Sequence, residues 1–274
     1  MDFIFYLQSI SMPLLDKLML LFSNITNEYV FVAAILFIYH VINKEKGIKM
    51  GFVVAATLLS NFLLKDLLKV PRPFVRDKRI VSKDTKMGYG YSMPSTHSQL
   101  NAGFFTALHI NFGLKKIIPF TALFVFITGF SRIYLGVHSP LDVTVGILFG
   151  IIWAIFADFV AEKFEKKKYL LFIFAALGII DILLFKNEDA IKVTLLYIGL
   201  LSGNIIEEKF IGYEIRKKFS QRILHFIICF AGILVITVVY KIFVPKGLLY
   251  FTKYLIIGEW SVLAAPALLN GRKE

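Results

Sequence analysis

Nine apolar stretches recur along this chain of 274 residues, each approaching the length of a helix that crosses a lipid bilayer. Such a helix needs about 20 predominantly apolar residues. The stretches occupy residues 29–42, 48–68, 95–112, 116–134, 140–160, 169–184, 191–206, 223–243 and 249–268. Hydrophobic residues make up 57% of the chain and charged residues 18%, a balance far more apolar than that of a soluble domain. The sequence therefore predicts an all-α, polytopic membrane protein with eight or nine spans.

The chain carries no linker, tandem repeat or low-complexity tract that would separate it into modules. We therefore expect one membrane domain over residues 1–274. The first 22 residues lack the basic start and the small-residue cleavage site of a signal peptide, and Pro13 interrupts them. We interpret residues 1–22 as an interfacial or re-entrant helix.

Charge and cysteine content exclude two other classes of protein. The net charge of +12 does not indicate nucleic-acid binding, because Lys and Arg gather between the apolar stretches, as juxtamembrane charge does. The single cysteine, Cys229, cannot form an internal disulfide, so a disulfide-stapled secreted module is excluded as well.

Basic residues also predict the orientation of the bundle. When the spans are followed in alternation from residues 48–68, the side on which that span begins collects just over half of the 31 Lys and Arg residues. More than half of the remainder lie in one segment, residues 65–86. Lys and Arg residues that flank membrane spans are more frequent on the cytoplasmic side. Because the other side carries few flanking Lys and Arg apart from this segment, we expect the segment to face the outside of the plasma (inner) membrane.

Three clusters of polar residues reach this outer face. Polar and ionisable side chains at membrane depth are costly unless they face a cavity or a partner, so their clustering marks a functional site. The clusters are Lys65 with Arg72-Pro73, then Pro94-Ser95-Thr96-His97, then Ser131-Arg132 with His138 and Asp142. We place the candidate site where these segments meet.

The second and third clusters predict the starts of two helices. Ser95 is typical of an N-cap residue and places His97 in the first turn, while Pro140 at the start of the next helix does the same for Asp142. Free backbone N–H groups at residues 95–97, together with the positive end of the helix dipole, favour an anion.

Three cations add to this anion site. Lys65, Arg72 and Arg132 supply positive charge, and the guanidinium groups can contact a phosphate through two N–H groups at once. A phosphate group therefore fits this set of residues best. For Lys65 an alternative stays open, in which its amine extends to the membrane interface and contacts no substrate.

Two histidines can divide the chemistry of phosphoryl transfer, which needs a nucleophile and a proton donor for the leaving oxygen. His138 is the candidate nucleophile because Asp142, four residues later, can bond its far ring nitrogen and fix the tautomer. His97 is the candidate acid. In an alternative interpretation, Asp142 only caps its helix, since Ser139-x-x-Asp142 also fits a capping box. The scheme needs no metal, and no motif with metal-ligand spacing is present.

In order and spacing, these residues resemble the three-part signature of the type 2 phosphatidic acid phosphatase superfamily. The matching segments are Lys65-x6-Arg72-Pro73, Pro94-Ser95-Thr96-His97 and Ser131-Arg132-x5-His138-x3-Asp142. The resemblance covers about residues 50–160. It implies a helical membrane core that hydrolyses lipid phosphates or diphosphates without a metal.

The resemblance also implies a role for each matching residue. His138 would form a phosphohistidine, Asp142 would orient it, and His97 would act first as general acid and then as general base. The implied phosphate-binding residues are Lys65, Arg72, Ser95, Thr96 and Arg132. Thr96 stands where the common form of the second motif has Gly, and we interpret this difference as a tuning of the pocket.

The resemblance further divides the chain into a six-helix phosphatase core at residues 29–184 and additional transmembrane helices at 191–268, to which no role is assigned. Expected partners are membrane lipids and a substrate that is a lipid phosphate or polyprenyl diphosphate, with no cofactor. Phosphatidic acid, phosphatidylglycerol phosphate, a sphingoid phosphate and a polyprenyl diphosphate present the same terminal group. Two alternatives stay open: a lipid phosphotransferase that uses the same phosphohistidine, and a noncatalytic lipid-phosphate transporter.

Overall fold

The computed structural model describes residues 1–84, 90–163 and 168–269. Within these ranges the regular structure is helical and contains no strand, which confirms the predicted all-α class. The helices are α1 (Asp2–Ser9), α2 (Pro13–Ile25), α3 (Glu28–Phe37), α4 (Lys44–Leu68), α5 (Pro73–Arg76), α6 (Thr96–Phe112), α7 (Ile118–Tyr134), α8 (Pro140–Lys163), α9 (Lys168–Phe185), α10 (Glu188–Phe210), α11 (Phe219–Phe243), α12 (Leu248–Glu259) and α13 (Ala265–Leu269).

Within the described ranges, six helices are long and apolar enough to cross a membrane, or seven if the bent pair α2 and α3 counts as one span. The chain is therefore a multi-pass integral membrane protein. Eight or nine spans were expected, and two of the predicted stretches account for the difference. Helix α6 has only 17 residues, and the described side chains of α9 form a shorter apolar segment, Ile173–Phe185.

The N-terminal segment forms two helices and not one. Pro13 takes the first position of α2, where its missing N–H costs no hydrogen bond, and it separates α2 from α1. A bend of 46° then separates α2 from the helical segment Glu28–Ile42. A broken span and a re-entrant loop both fit this bend, so the interfacial or re-entrant character of residues 1–22 stays a prediction.

The backbone divides into two compact units, of which the first is Met1–Phe31 with Ala56–Ala157. Its apolar core joins Ile4 of α1 and Met19 of α2 to Ile133 and Tyr134 at the end of α7. Residues of the two N-terminal helices therefore pack directly against the turn that follows α7, where the third polar cluster lies.

Helices α6 and α8 approach closely within this unit, through two glycines spaced by one turn of α8. A Cβ at Gly146 would lie 2.8 Å from the carbonyl oxygen of Ser95, and one at Gly150 would collide with the carbonyl oxygen of Gln99. The Gly146-x-x-x-Gly150 pattern thus serves packing within the chain. This contact sets the start of α6 against the first turns of α8.

The second unit comprises Val32–Ala55 and Asp158–Glu274. Two π-helical segments, Ile38–Ile42 and Trp260–Ala264, meet inside it, where the Tyr39 hydroxyl donates to the Val262 carbonyl at 3.3 Å. At the start of α4, Lys44 pairs with the buried carboxylate of Glu207 at 2.5 Å. The single membrane domain expected over residues 1–274 stays a prediction beside this division of the chain.

Candidate active site

The first cluster is anchored by the end of α4 and by α5. Lys65 is nearly buried, and its amine donates to the carbonyl oxygens of Tyr91 and Ser92 at 2.9 and 3.2 Å. An amine bonded in this way does not extend to the membrane interface, so the structure does not support the alternative raised for Lys65. Both contacts fix the loop that leads into the second cluster.

Arg72 links the first cluster to the third. Its Nη1 donates to the Val137 carbonyl at 3.1 Å and lies 3.4 Å from Nε2 of His138, while its Nε donates to the Gly90 carbonyl at 3.2 Å. A guanidinium can only donate, so Nε2 faces it as an acceptor and the ring proton lies on Nδ1. This tautomer leaves the Nε2 lone pair beside Arg72.

The start of α6 lies against α8. Ser95 takes the N-cap position as predicted, but its N–H donates to the Asp142 carbonyl at 2.9 Å, and its hydroxyl accepts from Ser98 at 3.0 Å. The expectation that the Ser95 N–H is free for an anion is therefore wrong, because α8 already occupies it. Thr96 and His97, in the first turn, retain N–H groups that an α-helix does not pair internally.

The Thr96 side chain turns toward α4. Its hydroxyl donates to Oδ1 of Asn61 at 2.7 Å, and the amide of Asn61 donates to Oε1 of Gln99 at 2.8 Å. The hydroxyl that Thr adds at the usual Gly position thus has a fixed partner. This contact ties the second motif to the preceding helix.

Asp142 caps its own helix in the way that the alternative interpretation described. Its Oδ2 accepts from the Ser139 N–H at 2.6 Å and from the Ser92 hydroxyl, and its N–H bonds the Ser139 hydroxyl at 3.3 Å. The same Oδ2 lies 3.9 Å from Nδ1 of His138, which is too long for a hydrogen bond. Oδ1 of Asp142 and Nδ1 of His138 are both buried without a hydrogen-bond partner in the described residues.

Arg132 is fully buried at the end of α7. Its Nη1 donates to Oδ2 of Asp84 at 3.0 Å and to the Ser23 hydroxyl. The His97 side chain, which is partly buried, lies near the backbone of the same Ser23. Helix α2 therefore contacts residues of the second and third clusters at one point.

His138 lies in the turn between α7 and α8, and only 1% of its surface is exposed. Burial lowers the pKa of His138 well below its usual 6.5, and the charges of Lys65, Arg72 and Arg132 lower it further. All these groups therefore act on one imidazole. The ring is neutral at neutral pH, as a nucleophile requires.

Comparison with known families agrees with this arrangement. The sequence model described as "PAP2 superfamily" matches residues 46–165, which include all three polar clusters. A second model, "PAP2 superfamily phosphatase, transmembrane extension", matches residues 192–271. The chain belongs to the PAP2 superfamily. The second match overlaps the segment 191–268 that was expected to add transmembrane helices to the PAP2 core.

One curated relative of this PAP2 protein is a probable sphingosine-1-phosphate phosphatase of Dictyostelium discoideum. The two are 25% identical over 158 residues, which is 53% of this chain and 38% of the relative. The chain thus spans little more than a third of the length of the relative that it matches. No solved structure matches the chain.

Three polar contacts of the PAP2 site lie outside the three motifs. Ser92 bonds Asp142, while Asp84 and Ser23 bond Arg132. Ser23 also lies outside the PAP2 match. A buried polar residue in an apolar helix is a weak sequence signal, and it could have marked Ser23 as a candidate, but nothing in the sequence assigns it to Arg132.

The three other histidines bond polar groups away from the motif residues. His40 contacts the Ser261 carbonyl, His109 the Thr121 hydroxyl and His225 the Tyr213 hydroxyl. Within the described ranges, no three His, Cys, Asp or Glu side chains form a group that could hold a metal ion. The metal-free mechanism stays a prediction that a chelator can test.

Proposed function

We propose that this protein is an integral membrane lipid phosphatase that hydrolyses a lipid phosphomonoester or diphosphate through a phosphohistidine on His138. The observation that carries the proposal is the setting of that imidazole. Its Nε2 faces the Arg72 guanidinium at 3.4 Å, and the ring is buried in the field of two more cations, Lys65 and Arg132. A phosphate that reaches Nε2 would be held by these charges and by the N–H groups at the start of α6.

In the first chemical step, Nε2 of His138 forms a bond to phosphorus while the bond from phosphorus to the leaving oxygen breaks. The leaving oxygen keeps the electron pair and takes a proton from His97, which acts as general acid. Arg72 and Arg132 stabilise the charge that spreads over the phosphoryl oxygens. The product of this step is a phosphohistidine and a dephosphorylated lipid.

In the second step, water attacks phosphorus and gives a proton to His97, which now acts as general base. The bond between phosphorus and Nε2 breaks, its electron pair returns to the imidazole, and inorganic phosphate leaves. The imidazole of His138 becomes positively charged during attack on phosphorus. A carboxylate that accepts a hydrogen bond from the Nδ1 proton would stabilise this charge. Asp142 takes this role if the 3.9 Å gap between Nδ1 and Oδ2 closes when substrate binds, as catalytic hydrogen bonds in apo enzymes often do.

A lipid is the proposed substrate because the polar site lies on the helices of a membrane protein. The headgroup would enter among the three clusters while the tail stays between apolar helices. The name of the curated relative, a probable sphingosine-1-phosphate phosphatase, supports a lipid phosphate as the substrate class. The distribution of Lys and Arg supports an orientation in which the site faces outward from the plasma (inner) membrane. We also propose residues 29–184 as the phosphatase core and 191–268 as an addition to it.

The direct test is phosphate release by detergent-purified protein from phosphatidic acid, phosphatidylglycerol phosphate, a sphingoid phosphate and a polyprenyl diphosphate. Each reaction contains EDTA, and His138→Ala and His97→Ala are measured beside the wild type. Activity that survives EDTA and is lost in both variants supports the proposal. Transfer of labelled phosphate to a lipid acceptor would instead identify a phosphotransferase. If folded protein releases no phosphate from any of the four lipids, the proposed hydrolase activity is contradicted.

A further inference from the structure

Among the described residues, the guanidinium of Arg132 forms side-chain hydrogen bonds through only one of its three nitrogens, Nη1. Its side chain is inaccessible to solvent, and Nη1 is bonded both to the Asp84 carboxylate, at 3.0 Å, and to the Ser23 hydroxyl. Its other two nitrogens, Nε and Nη2, are buried and have no hydrogen-bond partner in the part of the chain that the structure describes. Buried donors of a charged group are costly to leave unpaired, so a missing acceptor is expected on that side.

The two unpaired nitrogens form one edge of the guanidinium plane. The N–H groups on Nε and Nη2 point in parallel and match the spacing of two oxygens of a phosphate or carboxylate. Because Asp84 and Ser23 bond the opposite corner, they leave this edge available. The ion pair therefore orients Arg132 toward an anion and does not fill its binding edge.

The residues that precede Asp84 are held by contacts to the two N-terminal helices and to the turn after α7. The preceding residue, Lys83, donates its N–H to the Leu135 carbonyl at 3.0 Å and pairs its amine with Asp16 of α2 at 2.7 Å. Gln8 of α1 bonds both backbone groups of Val81, at 2.7 and 3.0 Å. The two N-terminal helices thus fix the irregular segment that carries Asp84, and α2 adds Ser23 directly.

From this geometry we propose that Asp84 is a positioning residue: together with Ser23, it fixes Nη1 of Arg132 so that Nε and Nη2 form a two-pronged contact with the substrate phosphate. The inference rests on the proposed phosphatase function. It gives the N-terminal helices, which lie outside the PAP2 match, a part in phosphate binding.

The test measures binding of inorganic phosphate to the detergent-purified full chain by isothermal titration calorimetry, so that no turnover is needed. We expect Asp84→Ala to weaken phosphate binding at least tenfold, and Asp84→Asn to weaken it two- to fivefold, because the amide oxygen still accepts from Nη1. The matched control is Asp77→Ala in the same connection, since Asp77 pairs with the exposed Arg79, and it should leave binding unchanged.

A double-mutant cycle separates positioning from a general structural effect. In an Arg132→Ala background, Asp84→Ala and Asp84→Asn should each change phosphate affinity less than twofold, because the group that Asp84 orients is gone. If Asp84→Ala fails to fold, Asp84→Asn and its double variant decide the question. Equal losses in both backgrounds, unchanged affinity in Asp84→Asn, or tighter binding in either single variant would overturn the proposal.

Measurements on the wild type distinguish failure of the positioning role of Asp84 from failure of the proposed phosphatase function. If wild-type protein binds phosphate and releases it from a lipid but the Asp84 variants bind as well as wild type, only the positioning role is wrong. If folded wild-type protein neither binds phosphate nor hydrolyses any of the four lipids, the phosphatase proposal fails and the positioning role fails with it.

Discussion

Nη1 of Arg72 lies 3.4 Å from Nε2 of His138, although the two residues are 66 positions apart in the chain. The same nitrogen donates to the Val137 carbonyl, and Nε donates to the Gly90 carbonyl. One guanidinium therefore holds the backbone beside the imidazole and fixes which ring nitrogen is unprotonated.

Replacement of His138 by Ala should abolish lipid phosphate hydrolysis. We expect kcat to fall at least about a thousandfold, because the phosphohistidine cannot form. Wild-type protein that is quenched with alkali during turnover of labelled substrate should carry label that is stable to base and lost in acid, and the variant should carry none. His109→Ala is the control, since His109 bonds Thr121 and not a motif residue. Labelled, active His138→Ala protein would rule out this nucleophile.

Arg72→Lys should reduce kcat/KM about 10- to 100-fold although it keeps the positive charge. A lysine amine is a single point donor and cannot hold two backbone carbonyls while it faces an imidazole. Steady-state kinetics on one lipid phosphate measure the loss. The matched control is Arg79→Lys, because Arg79 is half exposed and pairs with Asp77 and Asp2. If Arg72→Lys and wild type have equal kcat/KM, the several N–H donors of the Arg72 guanidinium are not needed for activity.

Lys65→Gln should move the acidic limb of the kcat/KM profile to higher pH. His138 must be neutral to attack, and the positive charge of Lys65 helps to hold its pKa well below 6.5. Without that charge the pKa rises toward 6.5, so protonation inactivates the enzyme at a less acidic pH. The ionisation of the substrate is common to both enzymes and cancels in the comparison.

The control for this profile is Lys78→Gln, which removes an exposed charge from the loop and should leave the acidic limb in place. An acidic limb that stays fixed in Lys65→Gln, or moves to lower pH, would contradict the assignment of this titration to His138.

Gly146→Ala and Gly150→Ala should destabilise the protein by about 1–3 kcal/mol each, because an added methyl group forces α8 away from α6. At Gly146 the new Cβ would lie 2.8 Å from the carbonyl oxygen of Ser95, so the start of α6 must move as well. Thermal unfolding in detergent should show a lower Tm, and kcat should fall with it.

Gly51→Ala provides the comparison for these two substitutions. A Cβ there would meet its neighbours at 3.6 and 4.0 Å, which is ordinary van der Waals contact within a helix. We expect its Tm to be unchanged or slightly higher, since Ala favours a helix by about 0.5–1 kcal/mol over Gly. A Tm for Gly146→Ala as high as that of Gly51→Ala would show that α6 and α8 do not depend on this close approach.

Much of the candidate site could be predicted from short segments of sequence. Each motif lies within a few residues of a helix end, so Ser and Pro signals placed His97 and Asp142 in first turns without knowledge of the fold. The capping-box alternative for Asp142 was equally visible, because Ser139 and Asp142 are three residues apart. The structure shows the capping contacts and leaves the predicted bond to His138 unmade at 3.9 Å.

Other contacts could not be predicted because they join distant segments. Arg132 bonds Asp84 and Ser23, which are 48 and 109 positions away, and both partners are ordinary polar residues in sequence. The N–H of Ser95 was expected to be free, but the close packing of α8 brings the Asp142 carbonyl to it. Neither contact has a local pattern.

The sequence by itself determined the all-α membrane class, the helix starts and the set of charged residues, because these follow from local hydropathy and from capping chemistry within one turn. Tertiary structure alone decided which nitrogen of His138 is unprotonated, which edge of Arg132 stays open and which N-terminal residues join the site. Those properties depend on side chains from separate helices and loops that meet at hydrogen-bond distance. Their meeting is set by the packing of these segments against one another and not by the residues of any single segment.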